Sequence, residues 1–314
     1  MLAVTAEGGG ISVREHTDPV PGLGQVLVRV RAAGLNGADL LQKRGLYPAP
    51  PGVPADIPGL ELTGEVLAAG PDATRFGAGD RVMAVVAGGG QAELAVVHER
   101  EAMPVPPGLD WASAGGLPEV FTTAHDALFT QAGLRPGERV CVHGAAGGVG
   151  TAAVQLAVTA GCAVVATVRS AERRAALEQL GATAIDPDET EANGPYDVVL
   201  ELVGAPNLDT NLRSLATGGR ICVIGIGAGA TGQLNLGLLM ARRGRIHGST
   251  LRARPLEGKA AAARLVESHV LPLFETGRLR VPIDATFPLS EAADAYDRFE
   301  AGGKFGKIVL TAGP

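Results

Sequence analysis

Aromatic residues are scarce, at 4% of a 314-residue chain with a single tryptophan. The cores are therefore expected to be built from Val, Leu, Ile and Ala, and a 46% hydrophobic content supplies enough of them. Cysteine is scarce too. Cys141, Cys162 and Cys222 stand far apart in apolar segments, with neither disulfide-framework nor zinc spacing, and read as buried thiols in a reducing cytosol. Basic residues are in deficit, 27 against 33 acidic ones for a net charge of -6, which excludes a nucleic-acid surface. No run of about 18 apolar residues occurs, so no membrane span is expected. The opening MLAVTAEGGGISV has no basic stretch leading into an apolar one, so no secretory signal is expected. The six histidines, at 16, 98, 125, 143, 247 and 269, form no paired ligand motif, and no serine sits in a nucleophile elbow. Neither a resident metal nor a covalent catalyst is expected.

What the chain does contain is glycine (45) and proline (21), which punctuate it often. Its length favours two domains, and its texture divides into three zones. Residues 1–118 alternate short apolar runs with Gly and Pro, as in QVLVRVRAAG, and predict a small, mostly β domain. Residues 119–252 alternate buried strands (ERVCVHG, CAVVATV, YDVVLELVG, RICVIGIG, RIHGSTL) with helices, including one through NLDTNLRSLATGG. Such alternation marks an α/β fold, a doubly wound parallel sheet covered on both faces. Residues 253–314 carry one long amphipathic helix, EGKAAAARLVESHVLPLFETG, then VPIDATFPL, a short helix and a last strand. This zone is too short for its own core and is expected to return and complete the first domain.

The sharpest motif is HGAAGGVGTAAVQLA, with Gly144, Gly147 and Gly150 placed between a strand and a helix. Gly144 permits the tight turn, Gly147 and Gly148 let the backbone approach a pyrophosphate, and Gly150 lets the helix pack closely on the strand. A dinucleotide is therefore expected along Gly144, Ala145, Gly147, Gly148 and Val149. The second strand selects among dinucleotides. NAD enzymes place an acid about 20 residues past the loop for the ribose 2′-hydroxyl. Here CAVVATV ends in Arg169 and Ser170 with no acid, and Arg173 follows. Guanidinium groups clasp a 2′-phosphate, so the expected cofactor is NADPH. Arg174 serves either that phosphate or a solvated helix face shared with Glu172 and Glu178.

Several segments together carry a resemblance. AAGLNGADLLQKRGLYPAPPG (32–52), IPGLELTGEV (57–66), GAGDRVMAVVAGGGQAELAVV (77–97), LPEVFTTAHDAL (117–128), the glycine loop, GSTLRARPL (248–256) and GKFGKIVL (303–310) span nearly the whole chain. In this order they resemble the zinc-free, zeta-crystallin-like quinone oxidoreductases of the medium-chain dehydrogenase/reductase superfamily, near the p53-inducible quinone reductase subgroup. The resemblance implies a Rossmann domain inserted into a GroES-like catalytic domain. It implies that Asn36 and Tyr47 line the cleft near the nicotinamide, with Thr123, Gly225 and Phe305 close to the cofactor. Lys304 either reaches the cofactor or is a surface charge. Zinc-dependent relatives carry Cys at the place of Asn36 and His at the place of Leu60, and LPEVFTTAHDAL lacks their last cysteine ligand. Where relatives often carry a Tyr after the third Rossmann strand, this chain has Pro187.

The implied activity is NADPH-dependent, metal-free reduction of a quinone by direct hydride transfer in the cytoplasm. Its rivals are reduction of an activated C=C bond, in an enone or enoyl thioester, and a non-catalytic NADPH-binding structural role. The resemblance also implies a homodimer, formed through the edge strand RIHGSTL, whose unpaired backbone groups need covering.

Overall fold

Strands buried on both faces need continuous apolar runs, and the chain places such runs at the centre of one of its two larger sheets. The computed structural model describes residues 1–313. It divides into one unit of Met1–Thr122 with Leu251 onward, and a second of Thr123–Thr250.

In the first unit β1 (Leu2–Glu7) and β2 (Gly10–Glu15) form a hairpin. They are followed by β3 (Gln25–Gly34), β4 (Glu61–Ala69), β5 (Arg81–Val85), β6 (Leu94–His98) and β7 (Ala102–Pro104). The helices α1 (Gly37–Lys43) and α2 (Trp111–Gly115) belong here, and the unit boundary runs through α3 (Pro118–His125). The second unit contains β8 (Arg139–Val142), α4 (Gly148–Thr159), β9 (Ala163–Thr167), α5 (Ala171–Glu178), β10 (Thr183–Ile185) and β11 (Tyr196–Glu201). It continues through α6 (Leu208–Arg213), β12 (Leu215–Val223), α7 (Leu236–Arg242) and β13 (Arg245–Gly248). The chain then returns to the first unit with α8 (Leu256–His269), α9 (Leu271–Glu275), β14 (Ile283–Pro288), α10 (Ala292–Glu300) and β15 (Lys307–Thr311).

The first unit's main sheet runs β14-β15-β3-β4-β5-β7, with β6 beside β3. Strand β15 pairs antiparallel with β3, so the end of the chain is a ladder partner of an early strand. One face of β3 buries Val26, Val28 and Val30 against Leu62, Val66 and Val82, an aliphatic core with Phe76 packed at its margin. The second unit's sheet is parallel in the order β10-β9-β8-β11-β12-β13. The order reverses between β8 and β11, the switch point beside which nucleotides bind in such sheets. Val140, Cys141 and Val142 of β8 and Val198, Val199 and Leu200 of β11 are all fully buried.

Two expected helices come out differently. The helix through NLDTNLRSLATGG ends at Arg213, because Leu215 is fully buried and enters the ladder opposite Tyr196. The long helix after residue 256 breaks at Val270. Pro272 has no N–H to return to the turn before it, so α8 ends at His269 and a separate α9 begins.

Candidate active site

The phosphate loop follows directly from β8. Gly144 has φ +63°, a conformation that side chains resist, and it turns the chain across the end of the strand. Gly147, at φ -76° and ψ 170°, is the N-cap of α4. A side chain at Gly150 would put its Cβ 2.6 Å from Ala145 Cα and from Gly144 O, so the helix can lie this close only with glycine there. At Gly147 the nearest atom to such a Cβ is Gly144 O at 3.5 Å, leaving that side of the loop open. The first-turn N–H groups of Gly148, Val149 and Gly150 precede any intrahelical acceptor and carry the positive end of the helix dipole. An open glycine face over unpaired N–H groups fits a pyrophosphate. Ala145 is fully buried and donates its N–H to Thr167 O at 3.3 Å, tying the loop to the end of β9.

Beyond β9 the chain passes Val168 and Arg169 to Ser170, the N-cap of α5. Arg169 is exposed and Arg173 half-buried, and among the described residues neither guanidinium makes an ion pair. Arg174 differs. It pairs with Asp186 at 2.8 Å and approaches Val168 O at 3.4 Å, so its charge is neutralised. The residues that follow β9, Val168, Arg169 and Ser170, include no carboxylate. Gly225 lies past β12, where a Cβ would come 2.2 Å from Leu202 O, so this glycine is required by the approach of two backbones. Thr123 is buried within α3.

In the first unit Asn36 sits at the end of β3 and ahead of α1. Its Nδ2 donates to Glu61 Oε1 at 2.9 Å and to Gly34 O at 3.3 Å, and its Oδ1 accepts from Lys307 Nζ at 2.7 Å. Lys307, 2% exposed, also donates to Leu35 O at 2.6 Å and pairs with Glu61 Oε1 at 2.6 Å, while Glu61 is fully buried. The second Glu61 oxygen accepts the N–H of Glu119 at 2.9 Å. Every proton of the ammonium and both carboxylate oxygens are used. Beside this cluster Asp39 accepts from Asn36 N, Gly59 N and Gln91 Nε2, and Gln91 Oε1 accepts from the Tyr296 hydroxyl. Burial pushes the Asp39 carboxyl up to about 6, against the Asn36 and Gly59 N–H groups and the Lys307 charge.

Tyr47 is half-buried on the loop after α1. The Arg252 guanidinium lies 4.7 Å above its ring and donates to Tyr47 O at 2.8 Å, to Ala87 O at 2.7 Å and to Gln42 Oε1 at 2.5 Å. Arg252 is 5% exposed, and its burial lowers its pKa. Phe305 donates its N–H to Asp284 Oδ1 at 2.9 Å, and the Lys304 ammonium lies 4.5 Å from the Phe299 ring centroid. The structure thus groups Asn36 with Glu61 and Lys307, and Tyr47 with Arg252. In the second unit it gathers the glycine loop, Arg169, Ser170, Arg173 and Gly225 at the strand ends. The sequence reading passed over Lys307 and Arg252. Their signal was a charged residue inside an apolar motif, GKIVL in one case and GSTLRARPL in the other.

Two family models match the chain: "Alcohol dehydrogenase GroES-like domain" over residues 22–107 and "Zinc-binding dehydrogenase" over 148–268. The quinone oxidoreductase of Pseudomonas aeruginosa is 35% identical over 321 residues, covering 96% of this chain and 96% of that protein. The synaptic vesicle membrane protein VAT-1 homolog of Rattus norvegicus is 33% identical, covering all of this chain and 84% of that protein. Among solved structures, the quinone oxidoreductase of Pseudomonas syringae pv. Tomato superposes with a TM-score of 0.87 at 28% identity, over 99% of each chain.

The second model's description implies zinc, and the donor set here does not fit it. Asn36 and the buried Leu60 stand at the expected ligand positions, and the Glu61 carboxylate is taken by Lys307. Among the described residues no group of three or more His, Cys, Asp or Glu could hold a metal ion. With a GroES-like unit, a Rossmann unit and quinone oxidoreductases among its relatives, the chain belongs to the medium-chain dehydrogenase/reductase superfamily, whose oxidoreductases use nicotinamide cofactors.

Proposed function

We propose that the protein is an NADPH-dependent, metal-free quinone reductase. The observation that carries this reading is the Asn36–Glu61–Lys307 cluster, in which Asn36, at the place of a cysteine ligand of zinc-dependent relatives, is held by Glu61 and Lys307. Oxidising an alcohol calls for a Lewis acid that makes its hydroxyl ionisable. A quinone is already electron-poor and needs none.

NADPH, when bound, supplies the hydride. The chain's own contribution is binding and positioning. The first-turn N–H groups of α4, with Gly144, Ala145, Gly147, Gly148 and Val149 before and within them, hold the pyrophosphate. Arg169, Ser170 and Arg173 hold the 2′-phosphate, and the two uncommitted guanidinium groups support that choice over NADH. Thr123, Gly225 and Phe305 shape the remaining cofactor contacts. On the substrate side, Lys307 and Glu61 fix Asn36 as a wall of the site. Tyr47, steadied by Arg252, donates a hydrogen bond to the oxyanion that develops on the acceptor. A phenol suits that role as a donor rather than as a strong acid.

The protein is further proposed to act in the cytoplasm as a homodimer. Among the described residues strand β13 is paired on one side only, by β12, and the nearby Leu236 and Met240 are 64% and 75% exposed. A monodisperse monomer in solution would overturn the dimer.

The test is NADPH oxidation followed optically with a small quinone, and in parallel with a conjugated enone, NADH serving as control and a chelator present throughout. Turnover of the quinone with NADPH preferred is expected. Turnover of the enone alone would move the reaction to double-bond reduction, and tight NADPH binding without turnover would leave a structural role. The Tyr47→Phe variant is expected to lose more than about twofold in turnover, and a smaller loss would remove Tyr47 from the chemistry.

A further inference from the structure

The second unit contains a row of buried polar side chains that the phosphate loop does not itself use. Thr167 Oγ1 lies 3.0 Å from His143 Nδ1, and His143 Nε2 lies 2.7 Å from Asn211 Oδ1. Asn211 Nδ2 donates to Glu201 Oε2 at 2.7 Å. Glu201 Oε1 accepts the N–H groups of Val203 at 2.7 Å and Gly204 at 2.8 Å, with Asn207 Nδ2 at 3.3 Å. All four members of the row are at most 3% exposed.

The direction of the row follows from its carboxylate end. A carboxylate only accepts, so Asn211 turns its amide N–H to Glu201 and its Oδ1 to His143. His143 therefore carries its proton on Nε2, and its bare Nδ1 accepts the Thr167 hydroxyl. A closed chain of this kind fixes each rotamer by the next.

Its position is what gives it a function. His143 directly precedes Gly144, and Glu201 directly precedes the 202–204 turn. These are the ends of β8 and β11, the two strands that flank the switch point. The two loops touch, since a Cβ on Gly144 would lie 3.4 Å from Val203 Cγ2 and 3.5 Å from Leu202 Cβ. Thr167 ends β9 two residues before Arg169. Through its backbone oxygen Glu201 also accepts the N–H groups of Ile224 and Gly225 past β12. The row thus joins the ends of four strands from beneath.

We propose that His143, Asn211 and Glu201 are positioning residues for the dinucleotide, setting the loops after β8, β9 and β11 in one fixed register without touching the ligand. This rests on the reading that the second unit binds a nicotinamide dinucleotide.

The test is NADPH titration by fluorescence together with steady-state kinetics on the full-length protein, below the unfolding temperature of each variant. Asn211→Leu is expected to raise the Kd and KM for NADPH about tenfold, the kind of loss a loop misplaced by a fraction of an ångström produces. The kcat and the KM for the quinone should move less than about twofold, because the substrate side is untouched. His143→Gln keeps a donor toward Asn211 and is expected to bind NADPH within about twofold of the parent. Should Asn211→Leu fail to fold, Thr167→Val, which removes one hydroxyl at nearly constant shape, is expected to raise the Kd about threefold. Parent-like NADPH affinity in the folded Leu or Val variants, with only the melting point lowered, would make the row structural and overturn the proposal. Equal losses in His143→Gln and Asn211→Leu would overturn it as well. If the parent protein binds neither NADPH nor NADH, the dinucleotide reading itself fails, and this inference with it.

Discussion

A lysine ammonium can be buried only if each of its protons finds an acceptor, and Lys307 finds Leu35 O, Asn36 Oδ1 and Glu61 Oε1. Removing the charge should therefore do more harm than removing the pair. Lys307→Met leaves the Glu61 carboxylate buried and unpaired, and a loss of about 3–5 kcal/mol in unfolding free energy is expected. The double variant with Glu61→Gln should recover part of it. Urea unfolding of the three proteins checks this, and a single variant as stable as the parent would show the pair to be dispensable. Arg252 invites a related measurement. A lysine there cannot span Ala87 O, Tyr47 O and Gln42 Oε1 at once, so Arg252→Lys should loosen the Tyr47 loop and lower turnover several-fold with little change in NADPH affinity. At this scale the sequence was legible where a motif demands one backbone conformation: Gly144, named for its tight turn, has φ +63°. It was illegible where a charge is buried by partners distant in the chain. Lys307 begins a strand and reads as an exterior residue until β15 is seen to pair with β3.

The glycine loop shows how an element can be fixed by one missing atom. Any side chain at Gly150 meets the Ala145 and Gly144 backbone, which cannot turn away as a flexible side chain would. Gly150→Ala should cost about 1–3 kcal/mol of stability and weaken NADPH binding, because α4 must retreat from β8. Thermal melts with and without NADPH check both, and an unchanged melting point would mean that the helix has slack. At the start of α5, replacing Arg169 and Arg173 by Ala should raise the KM for NADPH about tenfold or more and leave that for NADH nearly unchanged. Equal effects on the two cofactors would remove the 2′-phosphate role. Arg174→Ala should have no such selective effect, its charge being spent on Asp186. The elements that were legible are those whose pattern is long or closed by a strong signal, such as β8 with α4, or β3. The boundary of α6 was not, because Leu215 is taken by the ladder rather than by local propensity. Short strands such as β7 and β10, three residues each, carry too little pattern to be read without their neighbours.

The molecule as a whole carries two units whose buried titratable groups respond to acid in opposite directions. In the second unit burial lowers the pKa of both His143 and His247. A histidine depressed in the folded state stabilises fully above its unfolded value of 6.5, and that contribution is lost as pH falls below it. In the first unit burial raises Asp39 from 3.8 to about 6. A raised carboxyl holds its proton more tightly when folded, so its contribution is largest below 3.8 and is lost as pH rises through about 6. Between pH 6.5 and 5 the second unit should therefore lose stability while the first gains about 1 kcal/mol from Asp39. Carboxylates held below their ordinary values, such as Glu138 beside Arg220, enter only at lower pH and act against the folded state. The single tryptophan, Trp111, lies in the first unit, so its fluorescence reports that unit alone, while far-UV circular dichroism reports both. On acidification from 6.5 to 5 the circular-dichroism transition should begin at a lower temperature, and the tryptophan transition should hold or rise. His143→Gln should move the onset of the first and leave the second in place. One coincident transition, falling with pH on both probes, would mean that the units unfold together and that the acid response belongs to neither alone.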